Sequence, residues 1–459
     1  MSLSPNSPHA RDAKSVIHPY TNLAKHEQNG PLILEEGDGI YVTDTEGKKY
    51  IEGLAGLWCT SLGFNNERLV EAATQQMRRL PYYHAFFSRS NLPAIDLAEK
   101  LLEIAPVPMA RVWFANSGSE ANDHMVKFVW YYNNALGRPE KKKIIAREGG
   151  YHGIAVSSGS LTGMPLMHQG FDLPIKNILH TGNHHYYRHG LPGESEEDFA
   201  TRRAAELEQM ILDEGPETVA AFVAEPVLGA QGAVPPPVTY FAKIQAVLKK
   251  YDVLMVADEV ICGFHRTGNT FACETYGIEP DMLVVAKQLS SAYMPISAVM
   301  LNEKVYGPIR DFSDTNAILA TGFTYSGHPV AAAVAMETLR IYDDMRIGDH
   351  VRSIAPVALE RLAKLGDHPL VGEARGVGLI GAVELVKDKE TRENFGPEVA
   401  TYCGDACIAH GLFLRACAGA SIAYCPPLII TEGEIHQLFD RLGDALDDTL
   451  EYVRAENLM

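Results

Sequence analysis

Short apolar runs alternate with longer amphipathic segments between about residues 110 and 300. Segments such as 201–213 and 239–250 have the spacing of amphipathic helices. Strands that are apolar on both faces and separated by helices are typical of a parallel sheet covered on both sides. The pattern therefore predicts an α/β domain with a mainly parallel sheet. Its predicted strands are RVWFA (111–115), KKIIA (142–146), AAFVA (220–224), VLMVA (253–257) and MLVVA (282–286).

The pattern changes beyond residue 328. The Ala-rich segment 328–345 predicts one long helix, 377–386 predicts a strand, and 429–455 predicts terminal helices. This mixture is typical of a smaller α+β domain. We place the boundary near 335–350, and assign residues 61–340 to a large cofactor-binding domain and 341–459 to a small C-terminal domain.

The N-terminal part has its own pattern. Residues 1–16 contain several Ser and Pro and predict a mobile arm. Residues 31–60 predict a hairpin around Thr45-Glu46-Gly47. We assign residues 1–60 to an arm and hairpin that join the small domain or a dimer interface.

Length and charge narrow the functional classes. At 459 residues the chain is long enough for two or three domains with a cleft between them. The formal net charge of −18 argues against nucleic acid as a partner, because phosphate binding needs a basic surface. No stretch approaches the roughly 18 apolar residues of a membrane span, and the N-terminus has no apolar signal-peptide core. We therefore expect a cytoplasmic protein with no membrane partner.

The seven cysteines are an odd number and lie far apart along the chain. Cys403 and Cys407 stand four residues apart in a predicted helix, and no second pair accompanies them to complete a zinc site. We expect buried thiols in a reducing compartment, and predict neither a disulfide framework nor a metal site.

Candidate chemistry follows the predicted strands, at the carboxyl ends where open α/β sheets bind ligands. Acidic residues, a lysine and a Gly-containing turn should meet there at one edge of one sheet. Charges buried at this edge cost free energy unless they pair or hold a ligand, so a structural Lys–Asp pair is the simpler alternative. The polar residues that follow the strands are Glu225, Asp258 with Glu259, Lys287, and the turn Asn116-Ser117-Gly118-Ser119-Glu120.

The turn Ser117-Gly118-Ser119-Glu120 begins an amphipathic helix. It fits a capping box in which Ser117 is the N-cap and Glu120 returns the hydrogen bond, so a plain helix start is one interpretation. A Gly-containing turn at a helix start also suits phosphate, because free N–H groups and the helix dipole point at the anion. The neighbouring lysine and carboxylates favour the phosphate interpretation.

Pyridoxal 5′-phosphate (PLP) is the ligand whose groups match this set. A buried lysine amine forms a Schiff base with an aldehyde. A carboxylate keeps a pyridine nitrogen protonated, so that the ring accepts electrons. The phosphate fits the helix start. The residues therefore predict a PLP site built on Lys287, Asp258 and the turn 117–119.

Three further Gly-rich stretches need interpretation. Gly149-Gly150-Tyr151-His152-Gly153 places an aromatic ring where it can lie against a planar cofactor, although a loop aromatic that covers the core is an equal alternative.

The stretch Gly322–Pro329 is by itself a turn. Residues 376–381 match the dinucleotide pattern GxGxxG, but no apolar strand precedes them and a strand-like segment follows. We interpret them as a turn into a strand and do not expect NAD.

Together these motifs resemble the class III (ω-) aminotransferases of PLP fold type I, over residues 31–449. The GLWC and LRAC stretches are most similar to the β-alanine/amine:pyruvate branch. The resemblance implies an α/β fold with a large, mainly parallel domain, a smaller α+β domain and PLP as cofactor. The motifs that carry it are Gly56-Leu57-Trp58-Cys59, Asn116–Glu120, Gly150-Tyr151-His152-Gly153, Glu225-Pro226, Ala257-Asp258-Glu259-Val260, Ala286-Lys287 and Thr321–Pro329.

The resemblance also implies roles for individual residues. Lys287 would hold PLP and move the proton, Asp258 would pair with the ring nitrogen, and Tyr151 would stack on the ring. Since sites of this fold type are shared between subunits, it implies a homodimer or a dimer of dimers. The further implied cofactor contacts are Ser117, Gly118, Ser119, His152, Glu225, Val260 and, from the partner subunit, Thr324. The implied substrate contacts are Trp58, Phe86, Phe87 and, for a carboxylate, Arg415.

The chain departs from the family pattern at His265, Gln288 and Ala292, where many relatives carry glycine. Gln288 directly follows the lysine, so it adds a side chain where the backbone often approaches closely. These changes leave the expected chemistry intact, but they weaken any inference of substrate preference from relatives.

The sequence therefore predicts a ping-pong aminotransferase that moves an amino group from a primary amine or ω-amino acid to a keto acid, with pyruvate expected. A PLP-dependent decarboxylase or aminomutase is the alternative on the same fold, and stoichiometric amino-group transfer separates them. An NAD-linked oxidoreductase built on residues 376–381 is the alternative from another class, and the spectrum of the bound cofactor separates it.

Overall fold

The computed structural model describes residue 4, residues 6–316 and residues 318–459. The described residues form sixteen strands, numbered in chain order: β1 Leu34–Asp38, β2 Tyr41–Asp44, β3 Lys49–Glu52, β4 Arg111–Ala115, β5 Lys143–Arg147, β6 Ile178–Thr181, β7 Val219–Ala224, β8 Leu254–Asp258, β9 Met282–Val285, β10 Ser297–Leu301, β11 Val371–Val377, β12 Ile380–Asp388, β13 Glu393–Asn394, β14 Leu412–Phe413, β15 Arg415–Cys417 and β16 Ser421–Tyr424.

Sixteen α-helices accompany these strands in the described part of the chain: α1 Pro8–Ser15, α2 Leu23–Asn29, α3 Ala55–Trp58, α4 Glu67–Arg79, α5 Leu92–Ile104, α6 Gly118–Ala135, α7 Val156–Leu161, α8 Tyr186–His189, α9 Glu196–Glu214, α10 Tyr240–Lys250, α11 Ala272–Tyr276, α12 Glu303–Thr315, α13 Pro329–Asp344, α14 Ile347–Leu365, α15 Pro397–Ala409 and α16 Glu432–Ala455. Short 3-10 helices lie at Pro165–Met167, Lys287–Ser290 and Ala418–Ala420.

A seven-stranded sheet with the order β4-β10-β9-β8-β7-β5-β6 forms the centre of the molecule. Neighbours from β9 to β6 are parallel, whereas β10 is antiparallel to both β4 and β9. The five strands predicted from apolar runs are present, with bounds that differ by at most one residue. The predicted α/β fold with a mainly parallel sheet is therefore confirmed, while β6 and β10 are additions.

The sheet is covered on both faces because its central strands are apolar on both sides. On β7, Ala221 and Val223 pack in the core layer that includes α6. Phe222 and Ala224 point the other way, into the layer that includes α10. This alternation leaves the strand ends as the accessible places for polar side chains.

Two smaller sheets complete the fold. Strands β11, β12, β16 and β15 form an antiparallel sheet. The predicted N-terminal hairpin is present as β2 and β3, and β3 pairs in parallel with β14, where Leu412 lies opposite Ile51. The N-terminal hairpin is thus joined to the C-terminal part of the chain. The domain boundaries at residues 60 and 340 stay predictions.

The structure shows what surrounds the glycines at 376–381. Strand β11 (VGEARGV) runs directly into them, but it carries the charged residues Glu373 and Arg375 and is not an apolar strand. The prediction of a turn into a strand is confirmed, because β11 and β12 pair on either side of it. Gly378 has a positive φ of 57°, and a Cβ there would lie 2.4 Å from the backbone oxygen of Arg266. The predicted terminal helices are one helix, α16.

The N-terminal arm contains regular structure. Residues Pro8–Ser15 form α1, which Ser7 caps through its side chain. Mobility of this arm stays a prediction, and residues 1–3 and 5 lie outside the described residues. No helix among the described residues is long and apolar enough to cross a membrane.

Candidate active site

A cavity of about 360 Å³ lies at the carboxyl edge of the central sheet. Its walls come from the start of α6, the loop at 151–153 and the ends of β7, β8 and β9. It brings together nine of the ten predicted cofactor contacts, and Thr324 is the exception. The nine are Ser117, Gly118, Ser119, Tyr151, His152, Glu225, Asp258, Val260 and Lys287.

Asp258 ends β8 and is only 2% exposed. Its Oδ2 accepts a hydrogen bond from Asn122 Nδ2 at 2.9 Å and lies 2.8 Å from His152 Nδ1. Its Oδ1 accepts from the backbone N–H of Val260 at 3.1 Å. Three partners from different parts of the chain therefore compensate for burial of the carboxylate and hold its orientation.

Lys287 follows β9 and begins a 3-10 helix in a left-handed conformation, with φ of 48°. Burial lowers the pKa of its amine, because the charged form loses hydration, while Cys59, Asp258 and Glu225 act in the opposite direction. The neutral amine is the nucleophilic form of lysine. The site therefore favours an amine that can react with an aldehyde.

The start of α6 is capped as predicted, with one change. Ser117 Oγ accepts from the backbone N–H of Glu120 at 3.2 Å. The Glu120 carboxylate, however, accepts from the backbone and side-chain nitrogens of Asn116 at 2.8 and 2.9 Å, not from Ser117. The predicted return hydrogen bond of Glu120 therefore joins it to Asn116, one residue before Ser117. The N–H groups of Gly118 and Ser119 lie in the first turn, where helix geometry provides no acceptor for them within the helix.

Tyr151 and Glu225 also line the cavity. Glu225 Oε1 accepts from the backbone N–H of Tyr151 at 2.9 Å, and its Oε2 accepts from that of Gly229 at 3.0 Å. Burial raises the pKa of Glu225, since the carboxylate is removed from water. The Tyr151 hydroxyl lies 3.3 Å from that of Tyr20 in the N-terminal arm. Sequence motifs gave no sign of Tyr20, because 131 residues separate the two tyrosines.

Arg415 begins β15 and lies opposite Ala423 of β16. Burial raises the pKa of Tyr151, and the positive charge of Arg415 opposes that rise. Arg415 is not among the residues that line the 360 Å³ cavity, so its contact with a substrate carboxylate stays a prediction.

The predicted aromatic substrate contacts are not among the residues that line this cavity in the single chain. Trp58 is 2% exposed and packs in the cluster that contains Leu54 and Ile261. Phe86 and Phe87 are 37% and 75% exposed, and line a separate cavity of about 820 Å³. The backbone oxygen of Thr324 accepts from the Tyr82 hydroxyl at 2.9 Å. Completion of the site by a partner subunit stays a prediction.

At two of the three positions that depart from the family pattern, the backbone adopts a conformation that favours glycine. His265 and Ala292 have φ of 75° and 64°, in the left-handed region that favours glycine. Gln288 is buried, and its Nε2 donates to the backbone oxygen of Ile261 at 2.7 Å. The amide therefore ties the residue after Lys287 to the segment that follows Asp258.

The site residues fit PLP. A reactive amine, an anchored carboxylate and free N–H groups at a helix start line one cavity, and these are the groups that its aldehyde, ring nitrogen and phosphate require. Two buried polar atoms in the wall, His152 Nε2 and Asn122 Oδ1, have no hydrogen-bond partner among the described residues. Asn122 was not predicted, although it lies one helical turn beyond Gly118.

Comparisons with known proteins agree with this fit. A family model described as Aminotransferase class-III matches residues 22–446. Gamma aminobutyrate transaminase 3, chloroplastic, from Solanum lycopersicum is 52% identical over 437 residues, which cover 95% of this chain and 84% of the relative.

Solved structures are similar over almost the whole chain. The ω-transaminase from Pseudomonas jessenii in complex with PMP superposes with a TM-score of 0.96 at 52% identity, covering 97% of this chain and 99% of that one. A transaminase solved with L-ala has a TM-score of 0.90 at 54% identity, covering 92% of this chain and 100% of that one.

Proposed function

The chain belongs to the class III aminotransferases and is a PLP-dependent enzyme, and from this membership we propose that it transfers an amino group from a primary amine or ω-amino acid to pyruvate. The two substrates react in turn in the same cavity, so the mechanism is ping-pong. The observation that carries the proposal is the convergence of Lys287, Asp258 and residues 117–119 on one cavity.

Each of these groups has a defined task. When bound, PLP supplies an electrophilic aldehyde carbon and a protonated ring that accepts electrons. The amine of Lys287 would attach the cofactor, and when free its Nζ would accept and return a proton. The carboxylate of Asp258 stabilises positive charge on the ring nitrogen. The start of α6 binds phosphate through its N–H groups and dipole.

Other residues of the cavity orient the groups that would hold PLP. His152 and Asn122 orient the Asp258 carboxylate through their contacts with Oδ2. Tyr151 would cover the ring, and Glu225 holds the backbone of that tyrosine. Val260 packs close to the helix start, since a Cβ at Gly118 would lie 3.3 Å from its methyl groups.

The substrate pocket needs two kinds of surface, one apolar and one with a positive charge. A carboxylate-free amine needs apolar surroundings, which we assign to Trp58, Phe86 and Phe87. A keto acid or the acid end of an ω-amino acid needs a cation, which we assign to Arg415. The names of the plant relatives support γ-aminobutyrate as one ω-amino acid to test. The transaminase solved with L-ala supports pyruvate, which becomes alanine on amination.

We further propose a homodimer or dimer of dimers in which the partner supplies Thr324, Phe86 and Phe87. Their position outside the 360 Å³ cavity in a single chain supports this arrangement. Cytoplasmic location stays a prediction, and the names of the relatives place those enzymes in chloroplasts or mitochondria.

A donor screen tests the proposal. The purified holoenzyme is incubated with pyruvate and a panel that includes γ-aminobutyrate, β-alanine and carboxylate-free primary amines. We expect alanine and the carbonyl product of the donor in equal amounts. Release of CO2 from the donor without alanine would favour a decarboxylase, and isomerised donor without alanine would favour an aminomutase.

A further inference from the structure

Three potential metal ligands meet in the N-terminal segment that runs from α1 to α2, far along the chain from the catalytic motifs. Asp12 belongs to α1, His26 belongs to α2, and His18 lies in the segment between the two helices. The Nε2 atoms of His18 and His26 lie 2.8 and 3.1 Å from the same oxygen, Asp12 Oδ1. We call these three residues the arm cluster.

The spacing within the arm cluster suits a small cation. One ligand atom from each of the three residues lies within 4.8 Å of the other two. Zinc binds histidine nitrogen and carboxylate oxygen at about 2.0–2.2 Å, so ligand atoms around tetrahedral zinc stand roughly 3.3–3.6 Å apart. The two separations in the structure, 2.8 and 3.1 Å, are shorter by less than an ångström. An ion can therefore enter after small side-chain shifts.

The ligand types select the kind of cation. Two imidazoles and one carboxylate suit Zn²⁺ and similar divalent transition metals, whereas Mg²⁺ and Ca²⁺ prefer oxygen ligands. Three protein ligands leave a further position for water. We propose that the arm cluster is a binding site for a divalent metal of the zinc type, separate from the PLP site.

A second group of possible ligands differs from the arm cluster in its charge balance. His185, Glu373 and Glu384 are also close together. There, however, Arg375 pairs with both carboxylates and Arg188 pairs with Glu384. These arginines already supply the positive charge. In the described residues, Asp12 pairs only with the two histidines, so its charge is available to a metal.

The position of the arm cluster gives the metal a structural consequence. His18 and His26 flank Tyr20, whose hydroxyl lies 3.3 Å from that of Tyr151 in the active-site cavity. A metal that joins both histidines to α1 would fix the segment that carries Tyr20. Asp12 and His18 also precede residue 22, where the match to the family model begins.

Metal titration of the holoenzyme tests the site. After removal of metals by a chelator, Zn²⁺ is titrated calorimetrically into the wild type, His18→Ala, His26→Gln and Asp12→Asn. We expect one site in the wild type and a loss of affinity of about 100-fold or more in each variant, since even removal of outer partners costs 10- to 100-fold. Asp12→Asn keeps a side-chain oxygen that accepts hydrogen bonds, so it removes charge with little change to the fold of the arm.

His9→Ala is the matched control, because His9 lies in α1 but outside the arm cluster. It should bind Zn²⁺ as the wild type does. Hydrogen exchange supplies a second readout, and Zn²⁺ should slow exchange of residues 8–29 in the wild type and the control only. Absence of Zn²⁺ binding in the wild type, or equal affinity in all variants, would overturn the proposal. Neither result bears on amino-group transfer, which the donor screen measures separately.

Discussion

At the scale of single residues, the orientation of Asp258 depends on partners that come from separate elements. Asn122 lies on α6, His152 lies in the loop after β5, and Val260 follows β8. A carboxylate held from three directions loses little further freedom when it contacts a ligand, so its charge is preorganised for a cationic ring nitrogen.

Replacement of Asp258 by Asn tests this role. The variant keeps an oxygen for the Val260 N–H but removes the negative charge. We expect the half-reaction with an amine to slow by about 10²- to 10³-fold, a range found when one preorganised electrostatic contact is deleted. Stopped-flow spectroscopy of the cofactor measures the rate, and bound PLP is quantified as a control. A half-reaction as fast as that of the wild type would refute the role.

Arg415 should act on only one class of substrate. Arg415→Ala should impair the half-reaction with pyruvate about ten- to a hundredfold, since a hydrogen bond to a charged group contributes about 1.5–3 kcal/mol. The half-reaction with a carboxylate-free amine should change far less. Arg415→Lys is the control that retains charge without the planar fork. Equal losses with both substrates would show that Arg415 is structural.

At the scale of secondary-structure elements, the helix start that we assign to phosphate depends on a glycine in the neighbouring loop. Gly153 has φ of 128°, and a Cβ there would lie 2.7 Å from Ser119 Oγ. The adjacent backbone N–H of Ile154 donates to the same oxygen at 3.1 Å. The loop that carries Tyr151 and the first turn of α6 therefore pack as one unit.

Gly153→Ala should disturb this unit. Backbone strain of this kind costs about 1–3 kcal/mol, and the added methyl group must also displace Ser119. We expect a lower melting temperature and weaker PLP retention, measured by thermal unfolding and by equilibrium dialysis. Gly137→Ala is the matched control, because its φ is 70° but nothing lies within 4 Å of its added Cβ. The control should lose stability without losing PLP, and the same PLP retention in both variants would contradict the account.

Different elements were predictable from sequence to different degrees. β7 is a fully buried apolar run, and β8 is one up to its final residue, Asp258, so residue type alone identifies both strands. β6 mixes buried and half-buried positions over four residues and carries no such signal. The residues after strand ends could be named because chain direction brings them to one edge of a sheet. The contacts of Tyr20 and Asn122 could not, because they depend on packing between segments that are distant in sequence.

At the scale of the whole molecule, buried acids make stability depend on pH. Glu52 ends β3, and its Oε1 accepts from the backbone N–H of Leu54 at 3.0 Å. Burial raises the pKa of Glu52 from 4.5 to about 7. The folded state therefore binds this proton more tightly than the unfolded chain, so its contribution to stability is complete below pH 4.5 and is lost as pH rises to about 7.

Glu52→Gln should remove this dependence while keeping an acceptor for Leu54. One pKa unit corresponds to about 1.4 kcal/mol, so the variant should gain up to about 3 kcal/mol relative to the wild type between pH 4 and 8. Urea unfolding of both proteins at several pH values measures the difference. Glu259, whose pKa burial raises to about 7, is common to both proteins and cancels from the comparison. A difference that does not change with pH would count against an ionisable Glu52.

The proposed activity of the whole molecule is the transfer of an amino group between two substrates at Lys287. The most direct measurement follows 15N from a labelled amine donor into alanine when the holoenzyme is given pyruvate. The wild type should yield 15N-alanine in a 1:1 ratio to the carbonyl product, and Lys287→Ala should yield none above background. Unlabelled alanine, no alanine from any donor, or labelled alanine from Lys287→Ala at the wild-type rate would contradict the account.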